Sequence, residues 1–123
     1  MPNPIVHFEI MGKDGKKLQD FYSQLFGWTI DANNPMKYGL TKAKVGDHGI
    51  DGGIGQVDQN MLHPYITCYA AVKDIKASLD KVIKLGGQVV VPETVIPNMV
   101  TFAMFKDPEG NMFGLVKDVP PGP

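Results

Sequence analysis

The chain has 123 residues, 43% of them hydrophobic, which suits one globular domain built around one buried core. Its 12 basic and 13 acidic side chains nearly cancel and no basic run occurs, so neither nucleic acid nor a membrane surface is expected as a partner. A single cysteine, Cys68, excludes an internal disulfide, and no signal-peptide pattern or transmembrane-length apolar stretch occurs, so the sequence predicts a cytoplasmic protein.

The first half of the chain predicts a strand, a helix and three further strands. The strand "VHFEI" comes first, and Asp14 then stands where an N-cap carboxylate accepts the free N–H groups of a first helical turn. Apolar residues at helical spacing follow, and Gly27 supplies the left-handed conformation that ends a helix. The segments "WTIDA", "YGLTKA" and "GIDGGIGQV" are then typical of strands.

The second half repeats this order. The strand "YITCYA" precedes Asp74, a second N-cap candidate, and the helical pattern after it ends at Gly86 and Gly87. Three strand-like segments follow, "QVVVPETV", "MVTFAMF" and "MFGLV", and the last two are joined by "KDPEG", which has Pro and Gly where a tight turn uses them.

The two halves align when the sequence is shifted by 60 positions. The shift places Asp14 on Asp74 and Gly27 on Gly87. A long period that occurs twice indicates a duplicated module rather than a solenoid. We therefore predict an α+β domain over residues 1–118, built from two βαβββ modules at about 3–60 and 61–118, and an exposed tail at 119–123.

These segments together resemble a known superfamily. The run "VHFEIMGKD…FYSQLFGW", followed by "YITCYAAVKD" and "FKDPEGNMFGLV", is similar to the glyoxalase, bleomycin-resistance and extradiol-dioxygenase proteins, also called vicinal oxygen chelate proteins. The resemblance covers nearly the whole chain. It implies two βαβββ modules whose mixed sheets form an open cup, commonly completed by a homodimer. Function is less specific, because the same frame serves enzymes and drug-binding proteins.

The resemblance also implies where a metal ion would be bound. Metal-dependent members use His, Glu or Gln at one place in the first and last strand of each module, and these places carry over to His7, about Ile54, Thr67 and Gly114. Only His7 is an ordinary ligand, although Gln56 or Asp51 could lie near the second place. Two protein ligands are fewer than a catalytic zinc or non-haem iron site uses, so we predict no metal and no other cofactor.

Strand alternation predicts which side chains face the cup. Phe8 and Ile10 belong under a helix, and so do Ile66, Cys68 and Ala70, whereas the alternate residues face the open side. Tyrosine walls with a few polar anchors are typical of a small-molecule pocket. The predicted ligand-binding residues are His7, Glu9, Gln56, Tyr65, Thr67 and Tyr69. An ordinary solvated or dimer-covered sheet surface remains the alternative for this face.

Several other features favour structural interpretations. The glycines of "GIDGGIG" lack the strand-to-helix context and the lysine of a phosphate-binding loop, so a bulged or closely approached strand is expected. His48 and His63 fall in connections and are expected to be exposed. Cys68 is expected to be a buried, unreactive thiol.

Two classes of function remain open. The first is a metal-independent domain that binds or sequesters an unidentified small molecule. The second is an enzyme of the superfamily, of lyase, isomerase or dioxygenase type, in which His7 and Glu9 act as general acid and base, since residues i and i+2 of a strand point the same way.

The predicted assembly is a homodimer. Two short sheets, each covered by a helix on one face, leave apolar surface that a symmetric partner would cover. Tyr22, Phe26 and Trp28 are candidates for this interface. The alternative is a monomer in which Trp28 packs against its own helix.

Overall fold

The structure is a computed structural model that describes residues 2–58 and 63–117. Its elements are β1 (Ile5–Gly12), α1 (Gly15–Phe26), β2 (Thr29–Asp31), β3 (Gly39–Lys42), β4 (Gly52–Gln56), β5 (Tyr65–Val72), α2 (Ile75–Lys84), β6 (Gln88–Ile96), β7 (Val100–Lys106) and β8 (Met112–Lys117). This order confirms the α+β class and the two βαβββ modules. The tail predicted at 119–123 lies outside the described residues.

The chain divides into two compact units, Val6–Thr67 and Met1–Ile5 with Cys68–Pro123. Strand β5 begins in the first unit, where Tyr65 bonds to Glu9, and continues in the second. The second unit in turn includes the residues before β1 and its first residue, and the Ala71 N–H donates to the Pro4 carbonyl at 2.9 Å.

In the first unit the strands run in the order β2-β3-β4-β1. Strand β4 is parallel to β1, and β3 is antiparallel to both of its neighbours. The predicted caps of α1 are confirmed: an Asp14 side-chain oxygen accepts from the Lys17 N–H at 3.1 Å, and Gly27 is left-handed at φ 71°. The helix is fixed to the sheet by buried Gln19, whose Nε2 donates to the Ile54 carbonyl at 2.7 Å.

The second unit has the order β5-β8-β7-β6, with β5 and β8 parallel and the other pairs antiparallel. Asp74 caps α2 as predicted, since it accepts from the Ala77 N–H at 3.0 Å. The apolar face of α2 contributes to a core made of Val72, Ile75, Leu79, Ala103 and Leu115.

The two faces of β1 differ as strand alternation predicts. On the helix side the Phe8 ring contacts Trp28, which also packs against Tyr22 and Phe26 of the first unit. On the same side, Ile10 is buried.

The prediction for Ile66 was wrong. Its side chain is exposed rather than covered by a helix, because α1 packs against β4 and β2, and Ile66 lies at the start of β5. Neither α1 nor α2, the helices of the described segments, has the length and apolar content that crossing a bilayer requires.

Candidate functional site

The carboxylate of Glu9 is the centre of a buried polar cluster in the first unit. Its side chain is only 6% exposed although it projects from the middle of β1. The Tyr38 hydroxyl donates to Oε1 at 2.9 Å, and the Tyr65 hydroxyl donates to Oε2 at 2.9 Å. Each carboxylate oxygen therefore accepts a phenolic hydrogen bond, which offsets part of the cost of removing the charge from water.

His7 extends the cluster by one side chain. Its Nε2 lies 2.7 Å from the Tyr38 hydroxyl, and the two rings are nearly parallel with centroids 6.1 Å apart. Burial lowers the pKa of His7 below its ordinary value, while the negative charges of Glu9 and Asp51 act in the opposite direction. The imidazole is therefore neutral at neutral pH.

Tyr65 is held in its protonated form. Burial raises the pKa of its phenol, and the adjacent charge of Glu9 and the hydrogen bond to that carboxylate raise it further. The hydroxyl thus remains a donor to Glu9 throughout the neutral range.

Tyr38 is the member of the cluster that sequence reasoning missed. It precedes β3, far along the chain from β1, and no periodic pattern marks it. A Cβ added to Gly53 would overlap the Tyr38 ring, and one added to Gly55 would lie 3.1 Å from its Cδ1. The glycines of β4 thus allow the ring to lie against the strand backbone, which confirms the prediction of a closely approached strand.

The loop before β3 holds Tyr38 from the other side. Asn34 Oδ1 accepts from the Tyr38 N–H at 3.0 Å, and Asn34 Nδ2 donates to its carbonyl at 2.8 Å. Lys37, immediately before Tyr38, has a positive φ of 56°, and its carbonyl accepts from Gln19 at 3.2 Å. The backbone of Tyr38 is therefore anchored independently of its hydroxyl.

The register of β4 corrects one position carried over from the superfamily. Glu9 pairs with Gly53 in the first module, and Tyr69 pairs with Gly114 in the second. Gly53, and not Ile54, is therefore the counterpart of Gly114. Ile54 pairs with Ile10 on the helix side and is fully buried. The offset between modules is 60 residues at the helices and 61 at the last strands.

Gln56 is not brought to this cluster. It pairs with Gly12, and its Oε1 accepts from the Gly15 N–H at the start of α1 at 3.3 Å. Asp51 is also engaged elsewhere, because its Oδ1 accepts from the Ala43 and Lys44 N–H groups at 3.0 and 2.9 Å.

Thr67 and Tyr69 are both buried, at 5% exposure each. Thr67 belongs to the first unit and Tyr69 to the second, where a Cβ on Gly114 would overlap the Tyr69 ring. Their roles in ligand binding stay predictions.

The described residues do not contain a group of three or more His, Cys, Asp or Glu side chains arranged to hold a metal ion. The places that carry over from metal-dependent relatives are His7, Gly53, Thr67 and Gly114, and two of these have no side chain. What the cluster offers instead is one carboxylate, two phenols and a neutral imidazole, a set suited to hydrogen bonding and proton transfer.

Comparisons with known proteins identify the family of this chain. The sequence model of the family described as a glyoxalase-like domain matches residues 8–116. A glyoxylase-like domain-containing protein of Didymella fabae is 30% identical, with 84% of each chain aligned. The anthracycline biosynthesis protein DnrV of Streptomyces peucetius is also 30% identical, over 93% of this chain and 46% of DnrV, so the chain spans less than half the length of this relative.

Solved structures show the same fold. A hypothetical protein from Bacillus halodurans superposes with a TM-score of 0.66 at 15% identity, covering 100% of this chain and 99% of that one. A variant methylmalonyl-CoA epimerase of Streptomyces coelicolor superposes with a TM-score of 0.65 at 15% identity, covering 100% of both chains. The chain therefore belongs to the glyoxalase-like domain family.

Proposed function

We propose that this domain binds a small organic molecule without a metal ion and that Glu9, His7, Tyr38 and Tyr65 form the polar part of its binding surface. The observation that carries the proposal is the buried Glu9 carboxylate, both of whose oxygens accept from tyrosine hydroxyls. A buried charge stabilises a small domain less than an apolar side chain of similar volume would. Its presence in a strand centre therefore favours a functional role.

The metal-independent part of the proposal is supported by the donor set. Of the four places that metal-dependent relatives use, only His7 carries an ordinary ligand, and its Nε2 is already hydrogen-bonded to Tyr38. The residues of the first unit that we propose to contact the ligand are His7, Glu9, Tyr65 and Thr67, to which the structure adds Tyr38.

The binding test uses three probes chosen from the relatives: a fluorescent anthracycline, methylmalonyl-CoA, and the hemithioacetal of methylglyoxal and glutathione. We expect at least one to raise the thermal midpoint of the wild-type domain and to be recovered unchanged. The effect should be lost in Glu9→Gln and kept in Glu93→Gln, a matched change at an exposed position of β6. No shift with any probe, or an equal shift in both variants, contradicts the proposal.

A calorimetric titration tests the metal. We expect no stoichiometric tight binding of Zn²⁺, Ni²⁺, Mn²⁺ or Mg²⁺. Tight one-to-one binding that disappears in His7→Ala would contradict the metal-free proposal.

An enzyme is the second candidate, favoured by the unbroken hydrogen-bonded path from His7 through Tyr38 to Glu9. Such a path joins two titratable groups, as general acid–base catalysis requires. Chemical conversion of a probe, lost in both His7→Gln and Glu9→Gln, would favour this candidate over simple binding.

We also propose that the domain assembles as a homodimer through α1. Phe21, Leu25 and Phe26 are each more than half exposed on this short helix. Phe21 also lines a groove of about 700 Å³ between α1 and the start of β5, together with Met11 and Ile66 among others. A second copy of the chain would cover this apolar surface.

A further inference from the structure

The hydrogen bonds of the cluster run in one direction. The Tyr38 hydroxyl has a single hydrogen and donates it to Glu9 Oε1 at 2.9 Å. The same hydroxyl lies 2.7 Å from His7 Nε2. That contact requires a hydrogen between the two atoms, and only Nε2 can supply it. The chain of donors therefore starts at His7 and ends at Glu9.

We propose that Tyr38 is a positioning residue that fixes His7 in the tautomer with its hydrogen on Nε2, so that Nδ1 carries the lone pair and acts as acceptor or base. A neutral imidazole has one donor and one acceptor nitrogen, and the partner of one nitrogen sets the role of the other. Any group that contacts Nδ1, whether a residue or a ligand, must then donate a hydrogen.

The fold places the Tyr38 hydroxyl before any ligand arrives. Its ring lies against β4, where Gly53 leaves room for it. Its backbone is bonded on both sides to Asn34, and the preceding carbonyl is held by Gln19. These contacts remain if the hydroxyl alone is removed, so Tyr38→Phe keeps the ring and removes the hydroxyl that joins His7 to Glu9.

Tyr65 provides the matched control. It also donates to Glu9, at 2.9 Å, but to the other carboxylate oxygen, so it lies off the path that joins His7 to Glu9 through Tyr38. If the tyrosines served only to satisfy a buried carboxylate, Tyr38→Phe and Tyr65→Phe would act alike on His7. A positioning role for Tyr38 predicts that they differ.

The tautomer is measured by two-bond ¹H–¹⁵N correlation spectra of the domain labelled with ¹⁵N-histidine, at about pH 8, where an ordinary imidazole is neutral. We expect the Nε2–H pattern for His7 in the wild type and in Tyr65→Phe, and a mixture of tautomers in Tyr38→Phe. Exposed His48 serves as the internal reference in every spectrum. An Nδ1–H pattern or a mixture in the wild type overturns the proposal without any variant, and so does an unchanged pattern in Tyr38→Phe.

Discussion

The ring of Tyr38 occupies the space where a side chain at Gly53 would be. Any Cβ at position 53 would overlap the hydroxyl end of that ring. Gly53 is also the strand partner of Glu9, the acceptor of the Tyr38 hydroxyl. Because Gly53 has no side chain, the Tyr38 hydroxyl reaches the Glu9 carboxylate.

Gly53→Ala should destabilise the domain by about 1–3 kcal/mol, the usual cost of overpacking a filled site. Gly55→Ala on the same face is the control and should cost less, since its nearest contact is 3.1 Å. Urea unfolding at equilibrium gives both values. In a Tyr38→Leu background the difference between the two alanine variants should shrink, and a difference that persists would show that Tyr38 is not the cause.

Much of the fold could be predicted from local signals in the sequence. The side chains of Asp14 and Asp74 cap the first turns of α1 and α2, and left-handed Gly27 ends α1, as these residue types predict. The turn of "KDPEG" also forms, with Asp107 accepting from the Asn111 N–H at 2.9 Å and Gly110 at φ 89°. Each of these features depends on residues within a few positions of one another.

The candidate site was less predictable, because it depends on register and on contacts distant in sequence. The shift of 60 positions aligned Ile54 with Gly114, although the strand pairing aligns Gly53 with it. A slip of one residue exchanges the faces of a strand, so Gln56 was assigned to the wrong side. The sequence signal for Tyr38 was indirect. The glycines of β4 leave space beside the strand, and a large side chain from elsewhere in the chain is expected to fill it.

Tyr65→Phe should cost about 1–3 kcal/mol, because it leaves buried Glu9 Oε2 without this donor. Tyr22→Phe is the matched control and should be nearly neutral, since the Tyr22 side chain is engaged through ring contacts with Phe21, Phe26 and Trp28. Thermal and urea unfolding measure both changes.

The same pair supports a double-mutant cycle. Glu9→Gln replaces a charged acceptor by a neutral one, so Tyr65→Phe should cost less in that background, with a coupling of about 0.5–3 kcal/mol. Strictly additive effects would mean that the 2.9 Å contact contributes nothing to stability.

The stability of the domain should fall as the pH drops below about 6.5, in part through His7. Burial lowers the pKa of His7 in the folded state, so just below the unfolded value of 6.5 the unfolded chain binds a proton that the folded chain does not. The free energy of unfolding therefore rises with pH through this window and levels off below the folded pKa. The negative charges of Glu9 and Asp51 raise the pKa of His7 and so limit the size of the effect.

Urea unfolding between about pH 5 and pH 8 measures this dependence. His7→Gln should flatten the slope, and His48→Gln, a change at an exposed position, should leave it as in the wild type. Asp51 and Asp107 interfere little, because backbone and Asn111 hydrogen bonds lower their pKa values and move their titration below this range. An equal slope in wild type and His7→Gln would assign the pH dependence to other groups.

The proposed homodimer should have a mass near twice 13.5 kDa by light scattering at micromolar concentration. Phe21 and Leu25 lie one helical turn apart on the exposed face of α1, so Phe21→Lys with Leu25→Lys would place two charges in the proposed interface. Trp28 already packs against Tyr22 and Phe26, so it should remain in place when the dimer dissociates.

Val45→Lys, at an exposed position outside the helix, is the control and should leave the mass unchanged. The double variant should remain folded by circular dichroism and give the mass of one chain. A single-chain mass for the wild type, or a dimer that survives both lysines, would show that α1 is not the interface.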